Sequence, residues 1–247
     1  MNNLESVSKL DSFKFVEGNV RSVDLVRHIL LQDAIDTVVH FAAETHVDNS
    51  FGNSFTFTET NVMGTHVLLE ACRLSPMVKR FVHVSTDEVY GESSYLTDSS
   101  NVEAAALTPT NPYSATKAAA EMLVSAYGTS YNLPYIITRG NNVYGPRQYP
   151  EKAIPKFVHL LQRKRKIPIH GAGNSLRSYM HVRDAASAFD YVLHKGEVLN
   201  VYNIGAHEER SVLAVATVNV VNTVREDLLM THYDRIYAMR CKWTHVK

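Results

Sequence analysis

The sequence predicts an α/β fold, a parallel sheet flanked by helices, and three observations predict it. Short apolar runs rich in β-branched residues alternate with longer stretches of helical period. The spacing of strand, helix and strand is that of βαβ units, which give parallel neighbours. The polar clusters fall just after the apolar runs, where the carboxyl ends of parallel strands hold ligands.

The elements follow in order. Phe13-Lys14-Phe15-Val16 predicts a strand. Ser22 to Gln32 predicts a helix, with Ser22 as N-cap and Val23, Val26, Ile29 and Leu30 on one face. Thr37 to Phe41 is expected as a buried strand, and Ser54 to Leu74 as a long helix with Val62, Leu68 and Leu69 inward. Arg80 to Ser85 is a strand. Pro112 opens a helix at its first turn that runs to about Tyr131. Pro134 to Thr138 is again a strand. Beyond Tyr144 the pattern loosens, with a helix from Ile154 to Lys164, short strands near Ile167 and Ser178, a helix from Val182 to His194 and a strand at Tyr202 to Ile204. The length suggests one large domain or two small ones, and the division is expected over 1–145 and 146–247.

Composition narrows the function classes. Twenty-five Lys and Arg balance twenty-five Asp and Glu, without the basic surplus of a polyanion binder, so no nucleic-acid partner is expected. No stretch approaches the roughly 18 uninterrupted apolar residues of a membrane span, and Met1 to Phe15 is too polar for a secretory signal. Cys72 and Cys241 lie too far apart in sequence for a disulfide framework or a Cys-based zinc site, and a reducing cytoplasmic compartment is expected. The twelve histidines form no HExxH pair, and no metal site is expected.

Four clusters carry candidate chemistry. After Phe41 come Ala42-Ala43-Glu44-Thr45-His46-Val47-Asp48, small residues that admit a ligand close to the backbone, or simply a tight turn. After Val84 come Ser85-Thr86-Asp87-Glu88-Val89-Tyr90-Gly91. Two carboxylates in a shielded pocket cannot both ionise cheaply, so one is suited to act as acid and the other as base; the plain alternative is a solvated turn. In Tyr113-Ser114-Ala115-Thr116-Lys117 the i,i+4 spacing puts a phenol and an ammonium on one helical face, and a nearby ammonium favours phenolate. The same spacing recurs at Tyr191 and Lys195, where a lysine suits a helix C-terminus before Gly196; that pair is a decoy by position. After Thr138 come Arg139-Gly140-Asn141-Asn142-Val143-Tyr144-Gly145-Pro146-Arg147, suited to hydrogen bonding a sugar or nicotinamide, or to turn formation. Arg163-Lys164-Arg165-Lys166 is explained by cations at a helix C-terminus.

In this order the clusters resemble the extended short-chain dehydrogenase/reductases, and among them the nucleotide-sugar 4,6-dehydratases. The motifs carrying the resemblance are Ser85 to Gly91 with its adjacent Asp-Glu, His46-Val47-Asp48, Pro112 to Lys117, Asn141 to Pro146, and Pro150-Glu151-Lys152-Ala153-Ile154-Pro155. Phe51-Gly52-Asn53-Ser54-Phe55 and Pro168-Ile169-His170-Gly171 resemble the dehydratase part of plant rhamnose synthases, which act on UDP-glucose. The resemblance implies a Rossmann-like doubly wound parallel sheet with a small C-terminal substrate-binding region. It implies oxidation at C4 of a nucleotide-linked glucose, loss of water across C5 and C6, and return of the hydride to C6, with one retained NAD.

Carried over by motif, Tyr113 removes the O4 proton and Thr86 hydrogen-bonds O4. Lys117 holds the nicotinamide ribose and lowers the Tyr113 pKa, Glu88 takes the C5 proton, and Asp87 protonates the departing C6 hydroxyl. NAD would also meet Asn19, Val20, Phe41, Ala42, Ala43, Thr45, Asn61, Ser85 and Asn141. Glu44, His46, Asn142, Lys152, Arg177 and Arg235 would take the nucleotide sugar, the two arginines at its diphosphate. A homodimer through the 54–74 and 112–131 helices is implied as well.

The pattern departs from the family at its start. The eleven glycines form neither GxGxxG nor GxxGxxG, so the first strand–Gly-loop–helix–strand unit, which would bind pyrophosphate at a helix N-terminus, is expected to be lacking by N-terminal truncation. In the strand order 3-2-1-4-5-6 this leaves Phe13 to Val16 without a neighbour and Thr37 to Phe41 as an open apolar edge. Asn19 stands where the family usually has Asp at the adenine. Three readings follow: a working dehydratase seen in part, preferring UDP-glucose over dTDP-glucose; a non-catalytic remnant that only dimerises; and a nucleotide-sugar epimerase or reductase, against which Asp87-Glu88 argues.

Overall fold

The computed structural model describes residues 2–91, 101–169, 171–206 and 209–226. In chain order the elements are α1 (Val23–Gln32), β1 (Thr37–His40), α2 (Val47–Gly52), α3 (Ser54–Phe57), a π turn (Thr58–Met63), α4 (Gly64–Arg73), β2 (Arg80–Thr86), a 3-10 turn (Asp87–Tyr90) and α5 (Pro112–Tyr131). They continue with β3 (Tyr135–Gly140), β4 (Asn142–Tyr144), α6 (Ala153–Gln162), β5 (Leu176–His181), α7 (Val182–Lys195), β6 (Asn200–Ile204), β7 (Glu209–Ser211) and α8 (Val212–Glu226). The chain forms two compact units, 1–139 with 191–203 and 140–190 with 204–247.

The first unit is built on a sheet in the order β1-β2-β3-β6. β1 and β2 run parallel, Thr37 opposite Arg80 through His40 opposite His83. The expected α/β class with a parallel sheet is what forms. Its core gathers Val26 and Leu30 from α1, Leu69 from α4, Phe81 from β2, Val124 from α5 and Ile137 from β3. Leu69, Phe81 and Val124 are wholly buried, each stabilising by ~1.5–3 kcal/mol.

Helix α5 forms where its ends are written. Asn111 Oδ1 accepts from Ser114 N at 2.8 Å, the Ser114 hydroxyl faces the Asn111 N–H at 3.3 Å, and Pro112 sits in the first turn. Asn132 ends the helix in the left-handed region, φ 55°. The predicted 54–74 helix forms, but in three pieces, with the π turn between α3 and α4.

Two expected strands are absent among the described residues. Phe13 to Val16 makes no ladder, and Phe15 and Val16 are exposed. The sheet ends at β1, so this segment has no strand beside it, and a lone strand cannot satisfy its backbone. Ile167 also lies outside any strand. The chain leaves α6 through Lys164 at φ 54°, and Pro168 offers no N–H to a ladder.

The second unit holds a sheet in the order β4-β5-β7, in which the strand expected near Ser178 is β5 and β4 was not foreseen. β4 pairs parallel with β5, Asn142 opposite Tyr179, and β5 pairs antiparallel with β7, Arg177 opposite Arg210. α2, β7 and α8 were likewise not foreseen. Among the described residues no helix is long and apolar enough to cross a membrane, and no group of three or more His, Cys, Asp or Glu could hold a metal ion.

Candidate active site

The site forms where β2 ends. The strand is apolar and buried through Val82, then delivers Ser85 and Thr86, both buried, into the 3-10 turn that carries Asp87 and Glu88. Thr86 caps that turn: its Oγ1 accepts from Glu88 N at 3.3 Å and donates to Asp87 Oδ1 at 3.2 Å. Asn111, the cap of α5, donates from Nδ2 to Glu88 Oε2 at 3.2 Å. One residue after that cap's Pro112 stands Tyr113, 8% exposed, its ring edge-on to Phe57 at 6.3 Å between centroids. The phenol shares a hydrogen bond with Thr86 and feels the charges of Glu88 and Asp87. A phenol, a hydroxyl and two carboxylates therefore meet in one place.

The electrostatics differ from the sequence expectation in one respect. Burial, then the Glu88 carboxylate, push the Tyr113 phenol above its ordinary range, against a smaller downward pull from the Thr86 hydrogen bond. Lys117 Nζ donates to the Val84 carbonyl at 2.6 Å. Burial lowers the Lys117 pKa to about 8, with the charge of Glu121 opposing. Lys117 shares its surroundings with two buried histidines, His40 and His83, whose rings lie 5.4 Å apart. Burial, then Lys117, lower the His40 pKa to about 3, and the same two causes hold His83 well below its usual range.

The loop after β1 is pinned by Asn61. This residue sits in the π turn and is 1% exposed; π bulges recur at functional sites. Its Nδ2 donates to Glu44 O at 3.0 Å and to Thr116 Oγ1 at 2.9 Å, and its Oδ1 accepts from Glu44 N at 2.8 Å. Both amide donors are thus spent on protein, so Asn61 shapes the loop that presents Phe41, Ala42, Glu44 and Thr45 at the surface. Ala43 is half-buried there. His46 caps α2, accepting from Asn49 N at Nδ1 over 3.4 Å. Asn19 accepts from Arg21 N at 2.9 Å, and Val20 fills the space beside Gly64, where a Cβ would lie 2.7 Å from Val20 Cγ1.

The remaining sequence candidates belong to the second unit. Asn141 Oδ1 accepts from Ala206 N at 2.9 Å, Asn142 begins β4, Lys152 precedes α6, and Arg177 NH1 donates to the Leu176 carbonyl at 2.9 Å. Arg235 and the surrounding Asp234 to Tyr237 lie outside the described residues. Tyr191, of the second Tyr-x-x-x-Lys pair, is 58% exposed.

Sequence reasoning missed Asn111, Glu121 and Arg139. A signal existed for Glu121: Tyr113, Lys117 and Glu121 recur every four residues on an otherwise alanine-rich helix, and a carboxylate on a buried face calls for a cation. No comparable signal marked which cation.

Comparisons with known proteins agree on one relationship. A family model described as GDP-mannose 4,6 dehydratase matches residues 1–239. The chain is 60% identical over 216 residues to the trifunctional UDP-glucose 4,6-dehydratase/UDP-4-keto-6-deoxy-D-glucose 3,5-epimerase/UDP-4-keto-L-rhamnose-reductase RHM1 of Arabidopsis thaliana, covering 87% of this chain and 32% of that one. It is 52% identical over 225 residues to the dTDP-D-glucose 4,6-dehydratase of Dictyostelium discoideum, covering 87% and 51%. It thus spans about a third and about half of the lengths of these two relatives. Among solved structures, DesIV (dTDP-glucose 4,6-dehydratase) from Streptomyces venezuelae with NAD and TYD bound superposes with a TM-score of 0.85 at 38% identity, over 90% of this chain and 67% of that one. UDP-glucuronic acid 4-epimerase from Bacillus cereus in complex with UDP-glucuronic acid and NAD gives 0.82 at 30%, over 94% and 71%.

Proposed function

The chain belongs to the GDP-mannose 4,6-dehydratase family, and from that premise we propose that it takes part in NAD-dependent dehydration of a nucleotide-linked glucose to the 4-keto-6-deoxy sugar. The observation that carries the reading is the meeting of Tyr113, Thr86, Asp87 and Glu88 at the end of β2. An epimerase needs the phenol and the hydroxyl; it has no use for an acid and a base side by side.

The residues fit the nicotinamide end of NAD. Ser85 Oγ is buried with no hydrogen-bond partner among the described residues, and Lys117 offers a buried ammonium one helical turn from Tyr113. None of the 247 residues supplies a glycine-rich turn for the pyrophosphate. When bound, NAD supplies hydride acceptance and return. Tyr113 takes the proton from O4 while Thr86 holds O4 by a hydrogen bond. Because the phenol here sits above its ordinary range, it needs positive charge brought beside it before it can act as base. Glu88 takes the C5 proton, the C6–O bond breaks, and Asp87 gives its proton to the leaving oxygen, which departs as water. Asn111, which donates to Glu88 Oε2, steadies that carboxylate. Asn61 holds the 41–45 loop in shape, and Glu44, His46, Asn142, Lys152, Arg177 and Arg235 are the substrate candidates.

UDP-glucose is the proposed substrate over dTDP-glucose, supported by 60% identity to a UDP-glucose relative against 52% to a dTDP-glucose one. A homodimer through residues 54–74 and 112–131 is part of the reading; Phe55, Met63, Met122 and Tyr131 on these stretches are exposed. A reducing cytoplasmic setting suits the buried free thiol of Cys72.

The test is to incubate the purified chain and NAD with each sugar nucleotide and follow loss of one water by mass spectrometry. Faster loss from UDP-glucose is expected. No loss from either sugar would overturn the activity, and equal or reversed rates would overturn the preference.

A further inference from the structure

Behind the acid–base turn lies a buried polar cluster to which no part of the proposed chemistry assigns a role. Arg139, near the end of β3, is 6% exposed and faces Glu121 of α5, 2% exposed, as an ion pair at 2.7 Å. Its Nε also reaches both Glu121 oxygens, at 3.1 and 3.2 Å. Its NH1 donates to the Tyr90 hydroxyl at 2.7 Å and to the Glu103 carbonyl at 2.9 Å. The Tyr90 hydroxyl in turn donates to Asn203 Oδ1 at 2.8 Å, and the guanidinium lies over the Tyr90 ring, 4.8 Å from its centroid.

Tyr90 is the last residue of the 3-10 turn that carries Asp87 and Glu88. The turn is closed from the other side as well. Thr108 Oγ1 donates to the Tyr90 carbonyl at 2.6 Å, and Gly91 at φ 91° leaves no room for a Cβ, which would fall 2.5 Å from Thr108 O. Glu121 lies on the helix that carries Tyr113 and Lys117, one turn beyond the lysine. The guanidinium therefore ties the turn bearing the two carboxylates to the helix bearing the phenol.

From this geometry we infer that Arg139 is a positioning residue: held by Glu121, it grips Tyr90 and so fixes where Asp87 and Glu88 stand relative to Tyr113. Burial of an ion pair seldom stabilises a fold over an apolar pair of similar size, because the desolvation cost offsets the attraction. A planar fork, however, imposes direction. Among the described residues, four of the five guanidinium N–H groups have acceptors, and those acceptors lie on α5, on the 87–90 turn and in the segment before α5. An apolar replacement would fill the space without setting the angle. The inference rests on the proposed dehydration for its consequence, though not for the clamp itself.

Two variants test it. Tyr90→Phe removes only the hydroxyl. The double variant Glu121→Leu/Arg139→Met replaces the whole pair and leaves neither of its two charges without the other, so it keeps the test open if a single change at Arg139 fails to fold. Amide hydrogen exchange read by mass spectrometry should rise about tenfold in the peptide covering 86–91, the loss of one charge-assisted hydrogen bond, with α5 and β2 unchanged. Where the parent chain dehydrates its sugar nucleotide, kcat should fall about tenfold with KM unchanged. Unchanged exchange at 86–91, or a rise spread evenly over the unit, would overturn the clamp. Faster local exchange with an unaltered kcat would overturn its role in catalysis. A parent chain that releases no water defeats the proposed function instead, and leaves the exchange result to judge the clamp alone.

Discussion

The chain carries the same five-residue spacing twice, and the two copies came to different ends. Tyr113 and Lys117 lie on the buried face of α5, at 8% and 3% exposure, against two carboxylates and two histidines. Tyr191 and Lys195 lie near the end of α7, in solvent. Helical geometry puts residues four apart on one face wherever they occur. What separates the pairs is burial, which moves the Tyr113 phenol up and the Lys117 ammonium down to about 8, and the strand end that supplies Thr86, Asp87 and Glu88.

The comparison breaks most visibly at the two phenols. Tyr113→Phe should lower the rate of water loss from the sugar nucleotide by about 10²–10⁴-fold, whereas Tyr191→Phe should leave it within about twofold. A comparable loss from both would mean that spacing, not surroundings, makes the site. Glu88→Gln should slow water loss by a similar about 10²-fold or more while sparing part of the C4 oxidation, read as deuterium-sensitive hydride transfer from C4. If both steps fell together, Glu88 would not be the base at C5.

A smaller effect should appear in stability. The Lys117 pKa is depressed from 10.5 to about 8, so between these values the unfolded chain binds the proton that the folded chain has lost. Stability therefore rises with pH across that window, by on the order of 3 kcal/mol at most. Lys117→Met should flatten that rise in urea titrations at pH 8 and pH 10, and Lys195→Met should leave it intact. An unaltered slope in Lys117→Met would place the ammonium in water.

Much of the first unit was legible because its signals are local. Pro112 marked the start of α5, and the apolar runs at Thr37 and Arg80 became β1 and β2. The candidate cluster at Thr86 to Glu88 stands at a strand end, where the sequence places it. What escaped was set by partners distant in sequence. Phe13 to Val16 has strand composition, but a strand exists only beside another. β4 and β7 have three residues each, too few for alternation to be read. Arg139 looked like one more loop residue after a strand, since its pairing with Glu121 spans 18 positions. The turning of Lys117 toward the Val84 carbonyl follows from side-chain packing that spacing does not encode.

The π turn at Thr58–Met63 has a consequence for rotational phase. Phe57 and Leu69 are both inward-facing, at 2% and 0% exposure. Twelve steps of an unbroken α-helix at about 100° each would leave them about 120° out of alignment. The wider loop absorbs nearly one residue and brings them back to within about 20°. The chain here counts one amino acid more than its helical period requires. Excising a single position from this turn would let the helix wind regularly and keep Phe57 and Leu69 on the core, whereas restoring a regular period with all residues present would swing one of the two ends off it.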